Sequence, residues 1–140
     1  MAGDPVRTEF TLIIGNKNLS SWSLRPWFLM KAFDIPFREI VIRLDRPETR
    51  QSILAHSPSG LVPCLRHGDM AIWDSLAIAE YLADLYPEKK LWPADQRARA
   101  LARSVPWAVS VSAIWAPTGK TGLRWLNGSW KIMEIRLPLI

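Results

Sequence analysis

One cysteine, Cys64, stands alone among the 140 residues, so no disulfide can form within the chain. That absence fits a reducing, cytoplasmic setting. The two histidines, His56 and His67, are too isolated in the sequence to suggest a metal site, and no metal is expected. No run of about 18 apolar residues occurs, which argues against a membrane-spanning helix. Met1-Ala2-Gly3-Asp4-Pro5 has no basic start ahead of an apolar stretch, so no signal peptide is expected. Neither a glycine-rich phosphate loop nor a Gly-x-Ser-x-Gly elbow is present. Lys and Arg form no run either. The formal charge is +5, yet up to Ser104 there are 14 basic residues against 12 acidic ones, scattered singly among each other. Beyond Ser104 four basic residues face Glu134 alone. Such a distribution makes a solvated surface, so neither nucleic acid nor membrane is an expected partner.

What remains is an ordinary apolar fraction, in a length that suits one domain with a real core. Phe10-Thr11-Leu12-Ile13-Ile14-Gly15 is a short apolar run closed by glycine, the pattern of a buried strand. A polar loop follows from Asn16. Ser23 is the predicted cap of a helix from Leu24 to about Phe33, with Pro26 in its first turn. Asp34-Ile35-Pro36 stops that helix, and residues 37–44, rich in Ile and Val, read as a second strand. A short helix over 47–56 ends at Ser57-Pro58-Ser59-Gly60. Leu61 to Leu65 is strand sequence interrupted by Pro63; His67-Gly68-Asp69 turns it into Met70-Ala71-Ile72-Trp73, a hairpin. Asp74 and Ser75 can cap a helix from Leu76 to Leu85, whose Ile78, Leu82 and Leu85 recur at helical spacing. A further helix is predicted over 94–104. Two strands joined through a helix become parallel neighbours by a right-handed crossover, and the hairpin adds two antiparallel strands. The expected fold is α/β: a βαβ-ββα unit with a four-stranded mixed sheet.

Three local features carry chemistry: the serine-rich loop Ser20-Ser21-Trp22-Ser23-Leu24-Arg25-Pro26-Trp27 opening a helix, Val62-Pro63 entering a strand, and Asp74-Ser75 at a helix start. Together they resemble the glutathione S-transferase family. The loop is similar to the Ser-Ser-Cys-x-x-Arg loop of its zeta class, and closer still to bacterial relatives with a Ser-Ser-Trp-Ser-Leu-Arg-Pro-Trp run. Asp74-Ser75-Leu76-Ala77-Ile78-Ala79-Glu80-Tyr81-Leu82 matches the family's Glu/Asp/Gln-Ser-x-Ala-Ile-x-x-Tyr-Leu segment. The resemblance covers about two thirds of the chain. It implies a thioredoxin-like, glutathione-binding domain, with glutathione as co-substrate and no metal. A small-molecule electrophile would be the second substrate in a detoxifying transfer, and a homodimer is the family's common assembly.

The physical requirement is clear. A free thiol with a pKa of about 8.5 is only about 3% ionised at neutral pH. Lowering that value by two units takes about 2.7 kcal/mol of preference for the anion. A serine just ahead of a helix offers both a hydroxyl donor and the positive end of the helix dipole. By resemblance Ser20 is the first choice for the sulfur-activating hydroxyl, with Ser21 second; both also suit plain loop and cap roles. Trp22 stands where the zeta class has cysteine, which leaves the loop no sulfur nucleophile for disulfide exchange. Arg25 fits a helper beside the sulfur as well as it fits a surface charge. Pro63 fits an edge strand, while the family's reason for it is a cis peptide that offers the Val62 backbone to the cysteinyl part of glutathione. Ser75 and the helix start would take the γ-glutamyl carboxylate and Asp74 would face its ammonium, roles compatible with N-capping. Cys64 reads as a buried, inert thiol.

The expected organisation is an extension over 1–9, the glutathione-binding domain over 10–88, and a linker with an incomplete helical region over 89–140. Full transferases of the family continue into an all-helical domain that builds most of the electrophile pocket. From Val105 the sequence instead gains Pro106, Pro117 and Pro138 and a dense set of tryptophans (Trp107, Trp115, Trp125, Trp130) without steady period. The expectation there is a truncated, irregular tail from a disrupted coding frame. A glutathione-binding module without catalysis is the corresponding alternative to an enzyme.

Overall fold

The computed structural model describes residues 9–104, 121–126 and 129–134. The chain runs through β1 (Phe10–Gly15), α1 (Ser21–Ala32), β2 (Phe37–Ile42), α2 (Thr49–Leu54), β3 (Cys64–His67), β4 (Met70–Trp73) and α3 (Ser75–Leu85). A 3-10 turn (Pro87–Lys89) and α4 (Gln96–Ser104) follow, then β5 (Thr121–Leu126) and β6 (Ser129–Glu134).

Strands one to four form a single sheet in the order β2-β1-β3-β4. β1 and β2 pair in parallel from Phe10↔Phe37 to Gly15↔Ile42, as the helical crossover between them requires. β3 runs antiparallel to β1, with Ile13 opposite Cys64. The β3–β4 hairpin pairs Cys64 with Trp73 and turns at Gly68, whose φ of 60° suits a residue without Cβ.

β1 is apolar without alternation because both faces of the sheet are covered. Phe10, Leu12 and Ile14 pack with Phe28 and Leu29 of α1 and with Ile78 and Leu82 of α3. Ile13 turns the other way, to Ile42, Ile53 of α2 and Cys64. α1 and α3 therefore share one face and α2 holds the other. Lys89 Nζ donates to the Phe33 carbonyl at 2.8 Å, placing a cation on the C-terminal end of α1. Arg103 of α4 reaches back to α3 and grips Glu80 with two hydrogen bonds, of 2.6 and 3.2 Å.

Two local differences from the sequence reading have physical causes. α1 starts at Ser21, three residues ahead of the predicted start, because Ser20 rather than Ser23 provides the cap. Pro26 thereby falls inside the helix instead of in its first turn. Residues 121–134 carry an antiparallel strand pair, Thr121↔Glu134 to Leu126↔Ser129, where the sequence suggested no regular structure. The rest of the supposed irregular tail lies outside the described residues, as does the extension over 1–8.

Candidate functional site

The sheet register brings all three sequence features to one end. β1 finishes at Gly15, and α1 begins a short loop later. Cys64 faces Ile13 across β1, so Val62-Pro63, just before it, stands beside the last residues of β1. Trp73 is the partner of Cys64 on the other side, so Asp74 and Ser75 emerge at that same end.

The loop between β1 and α1 is fixed from within. The Asn16 carbonyl accepts from the Leu19 and Ser20 N–H groups, each at 2.9 Å. Its side-chain oxygen accepts from the Leu44 N–H at 2.7 Å, fastening the loop to the chain beyond β2. Ser20 Oγ accepts the Ser23 N–H at 3.2 Å, which caps the helix, and donates to Ser23 Oγ at 2.8 Å. Ser23 Oγ also accepts the Gly15 N–H at 3.0 Å. Ser23, fully buried, is thus the rivet between β1 and α1, a role the sequence reading gave to capping alone. Ser21 is exposed on the first turn, and its hydroxyl makes no hydrogen bond among the described residues.

Trp22 is 55% exposed, and the Arg25 guanidinium lies 4.9 Å from its ring centre. Arg25 itself is not the surface charge that was one reading of it: it is 9% exposed. Its Nη1 donates to Ser75 Oγ at 2.8 Å, a bond that joins α1 to α3. Its Nε is buried with no hydrogen-bond partner. Burial pushes the guanidinium pKa down, against the opposing pull of the Asp74 carboxylate.

Asp74 caps α3: one carboxylate oxygen accepts from Leu76 N–H at 2.8 Å and Ala77 N–H at 3.3 Å. It does so at φ 78°, in the region that favours glycine, so its side chain holds a backbone that most residues would avoid. Ser75 behind it is buried. The Val62–Pro63 peptide is cis, as the resemblance implies. Cys64 is fully buried; burial raises its thiol pKa, with a hydrogen bond to Ser57 and the charge of Arg66 only partly offsetting that. No group of His, Cys, Asp and Glu able to hold a metal occurs among the described residues. No helix among them is long and apolar enough to cross a membrane. An open depression lined by Val41, Arg43, Arg46 and Ser52 lies at the β2 edge and shares no residue with this site.

One sheet end thus gathers two helix starts, each capped by a side chain, with an exposed hydroxyl, a buried cation and a carboxylate. The family model described as "Glutathione S-transferase, N-terminal domain" matches residues 19–85. Glutathione S-transferase 1 of Dianthus caryophyllus is 37% identical over 81 residues, which are 58% of this chain and 36% of that protein. Glutathione S-transferase Z2 of Arabidopsis thaliana is 51% identical over 45 residues, 32% of this chain and 20% of that protein. A glutathione transferase homologue from Burkholderia GL BGR1, solved with bound glutathione, superposes with a TM-score of 0.59 at 27% identity, covering 75% of this chain and 61% of the other. The chain thus spans less than two thirds of the length of each of these relatives.

Proposed function

We propose, from the premise that residues 19–85 are a glutathione S-transferase N-terminal domain of thioredoxin-like fold, that this chain binds glutathione and activates its thiol for attack on an electrophile or a peroxide. The observation that carries the reading is the convergence of the starts of α1 and α3 and of Val62-Pro63 at one sheet end, tied by the Arg25–Ser75 hydrogen bond.

In this reading the peptide lies across the sheet end. Ser75 and the start of α3 take the γ-glutamyl carboxylate, Asp74 faces the ammonium, and the Val62 backbone pairs with the cysteinyl unit. Trp22 walls the side towards the sulfur. The sulfur lies at the start of α1, where the helix dipole favours the thiolate. Ser20 and Ser21 divide the work there. The proton of Ser20 is donated to Ser23, whereas the Ser21 hydroxyl bonds to nothing among the described residues and is the donor left for sulfur. With a hydroxyl and a helix start but no cysteine in the loop, the chemistry is attack by glutathione's own sulfur, not exchange with a protein thiol. The small electrophile, a zeta-like or bacterial-subgroup specificity, cytoplasmic residence and a homodimer all belong to this proposal.

Two measurements test it. Retention on immobilised glutathione should be lost in Ser75→Ala. Turnover of a chlorinated nitrobenzene should fall at least ten-fold in Ser21→Ala and less in Ser20→Ala. Retention without any turnover by the native chain would leave a glutathione-binding module instead of an enzyme.

A further inference from the structure

Arg25 is a buried cation that stacks on the exposed Trp22 ring and has no carboxylate bonded to it among the described residues. One guanidinium N–H is used, on Ser75 Oγ at 2.8 Å. Nε is sealed away from solvent and donates to nothing. The nearby carboxylate, Asp74, is committed to the backbone N–H groups of Leu76 and Ala77 and acts on Arg25 through space. Burying a cation in this state is costly unless an anion joins it.

The direction of the Arg25–Ser75 bond matters as much as its length. A serine hydroxyl has one proton and two lone pairs. With Arg25 donating to the oxygen, the proton of Ser75 cannot point back at Arg25 and is free for an acceptor. We infer that Arg25 is a positioning residue for the γ-glutamyl end of glutathione: it turns Ser75 into a dedicated donor to the α-carboxylate and supplies the charge that balances it. The inference rests on the reading given above and assigns Arg25 to the carboxylate, some distance from the sulfur.

Asp74 and Arg25 then form a complementary pair. A carboxylate and a guanidinium stand near each other without a hydrogen bond between them, one for the ammonium and one for the carboxylate of an α-amino-acid end. Capping either charge of the γ-glutamyl end should then weaken binding.

The test uses the full chain and two probes: S-methylglutathione, which has no thiol to activate, and the same peptide lacking the γ-glutamyl α-carboxylate. Arg25→Met should weaken binding of S-methylglutathione ten-fold or more. It should leave binding of the decarboxylated probe equal to that of the native chain. The thiol pKa of bound glutathione, read by ultraviolet absorbance, should stay within about half a unit, since Arg25 does not serve the sulfur. Arg25→Lys, which keeps the charge, should recover part of the loss and guards against a variant that fails to fold. Ser75→Ala and Arg25→Met together should cost no more than the larger single loss, because they act on one contact. A loss that persists with the decarboxylated probe would mean a mere staple between helices. A shifted thiol pKa at unchanged affinity would return Arg25 to the sulfur. Either result overturns the inference. Failure of the native chain to bind either probe would instead sink the glutathione reading itself.

Discussion

α1 and α3 start side by side at one sheet end, and they are capped in opposite ways. The α1 cap is neutral and buried: Ser20 is bonded to Ser23, and Ser23 to the last residue of β1. The α3 cap is charged and exposed: Asp74 holds the helix by its carboxylate, on a backbone with positive φ. Neither helix has an acid in its first turn. A neutral cap leaves the positive end of α1 available to an incoming anion, whereas Asp74 already spends part of that of α3. In the proposed reading α3 regains its attraction for a carboxylate through Arg25, which arrives from α1. One start would then serve a thiolate with no charged side chain, the other a zwitterion with two.

Three substitutions bear on this contrast. The largest effect is expected for Ser23→Ala, which strands the buried Gly15 N–H and the Ser20 hydroxyl together; the loss should be about 1–3 kcal/mol. Denaturant unfolding reads it, and a loss under half of that would show the α1 start to be held by packing instead. Next is Asp74→Ala, at about 0.5–2 kcal/mol, with Asp74→Gly costing distinctly less because glycine accepts the positive φ. If the two variants unfold at the same denaturant concentration, the backbone at Asp74 is not a burden. The smallest effect is expected for Ser20→Asp, which gives α1 the kind of cap that α3 has. It should raise the thiol pKa of bound glutathione by less than one unit, in line with about 0.3–1 kcal/mol for a charge at a helix end. An unchanged or lowered thiol pKa would break the contrast.

Most of the sheet was legible from the sequence because each strand and helix ends on its own punctuation. Gly15, Asp34-Ile35-Pro36, the turn at Gly68 and the Asp74 cap each act locally, and local signals survive in sequence. The start of α1 was not legible in this way. Ser20, Ser21 and Ser23 are all good caps, and the choice among them is made by Gly15, eight residues from Ser23, through a tertiary hydrogen bond. Arg25 reads equally well as a helper or a surface charge for the same reason. Its partner Ser75 lies 50 residues away, and nothing in the local pattern marks an arginine that packs inward. Asn16 marks the start of the polar loop, as an asparagine directly after a strand-ending glycine should, but its bond to the Leu44 N–H is a tertiary contact that no local signal announces. The β5–β6 pair did leave a trace: Asn127-Gly128 joins the two runs, and that dipeptide is a strong hairpin signal.

Pro26 has no N–H, so it cannot accept a place in the ladder of α1, and the carbonyl that it would have engaged is that of Trp22. The helix therefore carries a seam one turn from its beginning. Above the seam, the opening turn takes its orientation from foreign anchors, strand β1 through Ser23 and helix α3 through Arg25. Its alignment is borrowed from two neighbours, and a change in either neighbour reaches that first turn without first disturbing the buried length of α1 below.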